Sequence, residues 1–197
     1  MNLLQAIRGR RAVRDFAAQP VSQASLRQLV SAASWAPSAM NEQPWHFTVI
    51  TDSAMLNEIS EKAKARSLAN MPEVLRPAHF RELLSDPSFH LFHHAPAAVI
   101  ISVAADLEWA REDCAAAAQN LMLAAVEMGL GTCWIGFAQD WLASAEGRKL
   151  LNLAPEKVVA AAIAVGHPKA VPPVVPRKAV ALSWIGDTGP EAQSAGA

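Results

Sequence analysis

Arg8, Arg10, Arg11 and Arg14 place four guanidinium groups within seven residues. A guanidinium is a rigid planar fork of donors that matches phosphate oxygens, so the cluster suits a phosphorylated ligand. It equally suits a solvated basic face, because it follows a short predicted helix whose C-terminal carbonyls attract cations. Arg177, beside Lys178, follows a proline-rich stretch. A cation on so stiff an arm can reach back to a phosphate, or it can merely interrupt an apolar edge.

Two further segments could meet a ring. In Ala36 to Trp45, Pro37 and Pro44 stiffen the ends of a loop that carries Ser38, Asn41 and Gln43. Hydroxyl and amide side chains both donate and accept hydrogen bonds, which a heteroaromatic edge requires. An ordinary capped turn before a strand has the same composition. In Gly129 to Gly136 (GLGTCWIG), glycines bracket a β-rich run and allow close backbone approach. This is not a dinucleotide-binding fingerprint, because Trp134 stands where the third glycine should be and the run follows a helix. His90, His93 and His94 have spacing that could gather imidazoles on a helix. No cysteine partner lies nearby, and packing in a lid or core is expected rather than a zinc site. Cys133 has no paired base in its surroundings, and a buried thiol is expected rather than a nucleophile.

The elements that must position these residues follow from periodicity. Asn2 to Arg8 reads as a helix with Leu3, Leu4 and Ile7 on one face, stopped by Gly9. Ser22 is expected to cap a second helix carrying Leu26, Leu29, Val30 and Ala33. His46 to Thr51 reads as a strand, and Ser53 as the cap of a helix reaching about Asn70. Met71 to His94 holds three prolines and reads as helical pieces and loop, suited to a lid. Ala97 to Val103 is a buried strand, and Asp106 to Met128 a long alanine-rich helix, apolar on most sides. Thr132 to Phe137 is strand-like, Glu146 to Leu151 a short helix, and Val158 to Val165 the last core strand. Pro168 to Pro176 is an extended arm. Residues 1–185 are expected to form one domain and 186–197 a disordered tail. Strands separated by helices imply a layered α/β or α+β domain.

Composition narrows the function classes. The chain has 197 residues, 52% of them hydrophobic and 18% charged, enough for one sizeable core. A net charge of −1 disfavours a nucleic-acid partner. Two isolated cysteines form no disulfide framework and fit a reducing compartment, so the cytoplasm is expected. The N-terminal charges follow the apolar stretch, the wrong order for a secretory signal. No apolar run approaches the ~18 residues that span a bilayer, so no membrane association is expected.

Jointly, RRAVRDF (Arg10 to Phe16) with PVS, APSAMNEQPWHF (Ala36 to Phe47), GLGTCWIG, AVGHP (Ala164 to Pro168) and Arg177 resemble the nitroreductase family of FMN flavoproteins. The resemblance implies an α+β sandwich around a mostly antiparallel sheet flanked by helices, in an intertwined homodimer with one strand often given by the partner's C-terminus. It implies FMN at the dimer interface, NADH or NADPH as electron donor, and a small oxidised substrate such as a nitroaromatic or quinone, served by ping-pong turnover. On the family's pattern Arg10, Arg11 and Arg14 fall on phosphate and ribityl contacts, and Arg177 on the distal phosphate. Pro37, Ser38, Ala39 and Asn41 fall on the partner's loop lining the flavin. Trp134, Ile135 and Gly136 fall on the loop whose backbone faces the ring, and Gln43 is expected to be structural. Ala12 stands where many members have serine, leaving its backbone N–H as the remaining contact. No catalytic acid or base and no metal is expected. Relatives on this fold dehalogenate aromatics or perform other flavin chemistry. A non-catalytic flavin carrier would be yellow without turnover, and a helical interaction module would be colourless.

Overall fold

The structure, a computed structural model, describes residues 2–70, 78–170 and 172–186. Its centre is a four-stranded antiparallel sheet in the order β1-β2-β4-β3. The strands are β1 (His46–Ile50), β2 (Ala97–Ala104), β3 (Gly131–Trp134) and β4 (Lys157–Gly166). The helices are α1 (Leu3–Gly9), α2 (Gln23–Ser34), α3 (Ser53–Asn70), α4 (Ala78–Ser85), α5 (Ala110–Glu127), α6 (Gly136–Leu142) and α7 (Ala145–Leu150), with a 3-10 turn at Ala39–Asn41. The fold is α+β.

Alternation along the central strands explains the layers. Successive side chains of a strand point to opposite faces. Ala98, Ile100, Ala162 and Ala164 therefore join one core with Leu56 and Ile59 of α3 and Ala138, Trp141 and Leu142 of α6. Ala97, Val99, Ile101, Ile163 and Val165 join the opposite core with Leu26 and Leu29 of α2 and Cys114, Ala117, Ala118 and Leu121 of α5. Both faces being covered, β2 and β4 read as near-continuous apolar runs. Small alanines on α5 and β4 let helix and sheet approach closely.

Several expected boundaries move. Asp52, not Ser53, caps α3: its Oδ1 accepts from the N–H of Ala54 at 2.8 Å and of Met55 at 3.3 Å. The alanine-rich helix begins at Ala110, because 106–109 form a turn. The strand-like run ends at Trp134, and Gly136 opens α6, which buries Ala138, Trp141 and Leu142 at helical spacing. Leu3, Leu4 and Ile7 do share α1, but they are 67%, 60% and 47% exposed, and only Ala6 faces inward. Of the expected lid, residues 71–77 lie outside the described residues, α4 follows, and 86–94 are turns. The expected tail from 187 onward also lies outside them. Among the described residues no helix is long and apolar enough to cross a membrane.

Candidate functional site

The arginine segment reaches its place by strand pairing. Val13 donates its N–H to the Thr132 carbonyl at 2.9 Å, and Ala12 forms a parallel bridge with Thr132. Gly131 permits this approach: a Cβ there would lie 2.6 Å from Val13 Cγ2 and 2.8 Å from its Cβ. Downstream, Ala17 donates to the His167 carbonyl at 2.8 Å and Lys169 pairs with Asp15 at 2.8 Å. Arg10 to Arg14 are thereby held along β3, beside the turn into α6.

Arg14 and the β3–α6 turn share one cavity of about 600 Å³, within the range of small-molecule and cofactor sites. Its floor is Cys133, Trp134, Ile135, Gly136 and Phe137. Its walls are Phe80 and Leu83 of α4 with Phe89, Leu91 and His93. Phe80 meets Phe137 edge-on, with ring centroids 5.5 Å apart. Trp134 and Gly136 are exposed there, and a Cβ at Gly136 would meet no atom within 4 Å, so the backbone lies open to a ligand. Among the described residues no carboxylate pairs with Arg10 or Arg14. Arg14 is the cation that lines this mostly apolar cleft, and without a carboxylate partner it favours an anionic group on a guest.

Other predicted residues are placed differently. Arg11 gives its donors to backbone: Nη1 to the carbonyls of Arg8 (2.6 Å) and Arg10 (2.9 Å), and Nε to that of Pro173 (3.3 Å). It thus ties the start of the C-terminal arm to the arginine segment. Arg177 is exposed on that arm, four residues beyond Pro173, within roughly 14 Å of chain. The Pro37–Gln43 loop does not line this cavity. The Ala39 N–H donates to the Asp113 carboxylate of α5 at 3.2 Å, and Ser38 Oγ accepts from the Gln43 N–H at 2.9 Å. Met40, Asn41 and Gln43 have φ of 51°, 59° and 49°, left-handed backbone in three non-glycine residues. Such strain persists where surrounding contacts over-determine a conformation, often at a binding site.

Titration chemistry is subdued. Burial pushes the Cys133 thiol up despite the lowering influence of Arg14 and Arg10, so it is not an activated nucleophile. Burial, then the charge of Arg14 and of His94, lowers His93 to about 4. Sequence reasoning missed Phe80, Leu83, Phe89, Leu91 and His93 as cavity residues. The aromatic residues between two prolines and the β2 strand were the available signal, but only tertiary packing brings them to β3. Among the described residues no three His, Cys, Asp or Glu side chains could together hold a metal ion.

A helix-covered antiparallel sheet, with Arg14 and the β3–α6 turn on one open aromatic cleft, is the frame of the site. The chain belongs to the nitroreductase family, whose model matches residues 7–167. It is 33% identical to a nitrobenzene nitroreductase of Ectopseudomonas oleovorans, over 81% of this chain and 84% of that one. It is 29% identical to an NADPH-flavin oxidoreductase of Vibrio harveyi, over 89% and 70%. The structure of a nitroreductase with bound FMN from Bacteroides fragilis superposes with a TM-score of 0.79 at 28% identity, covering 95% of this chain and 98% of that one.

Proposed function

We propose that this chain is an FMN-dependent oxidoreductase that takes electrons from NAD(P)H and gives them to a small oxidised aromatic, working as a homodimer. The observation that carries the reading is the shared cavity: Arg14, the open backbone of Trp134–Gly136 and a wall of aromatic rings converge on one cleft, and among the described residues no carboxylate pairs with Arg10 or Arg14. These residues fit FMN. Arg10 and Arg177 would hold the phosphate and Arg14 the polar edge of the ring system. The N–H groups of Ala12 and of the Trp134–Gly136 turn would contact ribityl or ring atoms, and the hydrocarbon walls would exclude water. The chemistry a bound flavin supplies is hydride acceptance from NAD(P)H and electron delivery to a second molecule. One cleft serving both molecules in turn gives ping-pong kinetics.

The dimer reading rests on surfaces that the described residues of one chain leave exposed. Leu3, Leu4 and Ile7 of α1, Trp109, and Val174, Val175, Leu182 and Trp184 of the arm are all exposed. Pro37, Ser38, Ala39 and Asn41 stand away from the chain's own cleft, so they would complete the partner's. β1 is an edge strand flanked by a groove that Leu26, Val30, Phe47 and Val49 line, where a partner's arm could add a strand. Two free, buried thiols suit the cytoplasm.

The test is purification and titration. The protein is expected to be a yellow dimer with one FMN per chain, bleached anaerobically by NADH or NADPH and recoloured by a nitroaromatic or quinone. A protein that stays yellow but is not reduced by either nucleotide would be a flavin carrier instead.

A further inference from the structure

The histidine run forms one device beside the cleft. His93 and His94 have φ of 53° and 54°, two successive left-handed residues without glycine. Each costs roughly 1 kcal/mol, so the turn persists only because contacts impose it. His90 imposes it. Its carbonyl accepts the His93 N–H at 2.8 Å, and its Nδ1 accepts from the N–H of Phe92 at 3.1 Å and of His94 at 3.4 Å. The His90 ring is 8% exposed and lies 4.6 Å from the ring of His94. The root of the turn is fixed as well: Leu91 donates to Ser60 Oγ at 2.9 Å, and the buried Lys64 ammonium donates to the Phe89 carbonyl at 2.8 Å.

The turn sends its two outer histidines to different places. His94 lines a separate cavity with Thr51 and Asn57, while His93 lines the cleft of Arg14 and Trp134. On that wall the neighbours Phe80, Leu83, Phe89 and Leu91 are hydrocarbon. Arg14 and the Trp134 indole can only donate, whereas a neutral imidazole offers one donor and one acceptor. A heteroaromatic edge with alternating carbonyls and N–H groups requires that pair.

We propose that His93 is a further ligand-contacting residue of this cleft, hydrogen-bonding the polar edge of the heteroaromatic ring bound there, and that His90 is the positioning residue that holds it in place. The inference rests on the flavin reading above. It adds a contact that none of the recognised motifs contains.

The test uses the full-length protein, FMN titration by flavin fluorescence, and NMR of histidine labelled in the ring. In the wild type the His93 ring resonances are expected to shift on addition of FMN. His93→Leu should weaken FMN binding about five- to tenfold, the value of one hydrogen bond in a cleft, and His93→Gln, which keeps a donor and an acceptor, should stay within about threefold. His90→Phe should weaken it by the same factor as His93→Leu, and the double variant no further, since both remove one contact. If FMN binds the wild type but leaves the His93 resonances unmoved, or if His93→Leu binds as tightly as wild type, the inference is overturned and the flavin reading stands. If the wild type takes up no FMN at all, both fall. The wild-type resonances decide the matter even where His90→Phe fails to fold.

Discussion

Replacing Gly131 with alanine tests how the arginines reach the cleft. The added Cβ would stand 2.6 Å from Val13 Cγ2, 2.8 Å from Val13 Cβ and 3.0 Å from Cγ1. Valine is branched at Cβ and stiff, so no rotamer change relieves all three contacts. The segment itself must move off β3. Overpacking of this kind costs about 1–3 kcal/mol. The 2.9 Å bond from Val13 N–H to the Thr132 carbonyl is strained or lost with it, adding about 1 kcal/mol. A loss of about 2–4 kcal/mol should lower the melting temperature by roughly 4–16 °C for a chain of this size. FMN affinity should fall as well, because Arg10 and Arg14 ride on the displaced segment. Urea unfolding and flavin titration read the two effects separately. Adding Val13→Ala removes the two Cγ contacts but keeps the 2.8 Å Cβ contact, so it should recover only part of either loss. Equal stability of Gly131→Ala and wild type would refute the proposed stitching of this segment to β3.

Two other perturbations probe the turn beside the cleft. Burial first, then neighbouring charges, lowers His90 and His93 to about 4, against 6.5 for the unfolded group. The unfolded chain therefore binds more protons between these values. Stability is complete above about pH 6.5 and declines as the pH falls towards 4, by up to about 3 kcal/mol for His90 alone. Urea midpoints from pH 7.5 to 4.5 should show the decline, and His90→Phe should flatten it; an equally steep variant would count against the assignment. Lys64→Met removes the donor that holds the carbonyls of Phe89 (2.8 Å) and Asp86 (3.4 Å), together with the partner of Glu61 (2.9 Å). The cost should be about 1–3 kcal/mol, with faster amide exchange in 86–94 and little change in β2. Unchanged exchange there would show that the turn holds without Lys64.

Much of the fold was legible because local signals agreed with tertiary demands. The apolar runs of β2 and β4 read as buried strands because both sheet faces are covered. Ser22 accepts from the Ser25 N–H as its position before an apolar helical stripe implies, and Gly129 stops α5 with a φ of 68°. The misreadings have physical causes. Thr132 to Phe137 holds β-favouring residues, yet the buried spacing of Ala138, Trp141 and Leu142 turns the chain helical at Gly136. Leu3, Leu4 and Ile7 have the periodicity of a core-facing helix, but none of the other described residues buries them. The family resemblance named Arg14 and Trp134–Gly136 together, and they line one cavity. Their meeting with Phe80, Phe89 and His93 was not legible, because it depends on how 78–94 packs across β3. Cys133 is buried, as expected of it, and burial raises its thiol.

The most direct measurement of the central claim is a crystal structure of the dimer grown with FMN. The ring system is expected against the backbone of Trp134–Gly136, with Arg14 at its polar edge, the phosphate within hydrogen-bond reach of Arg10 and Arg177, and the Pro37–Asn41 loop of the second subunit closing the cleft. FMN seated elsewhere, or a cleft that stays empty in saturating FMN, would contradict the account.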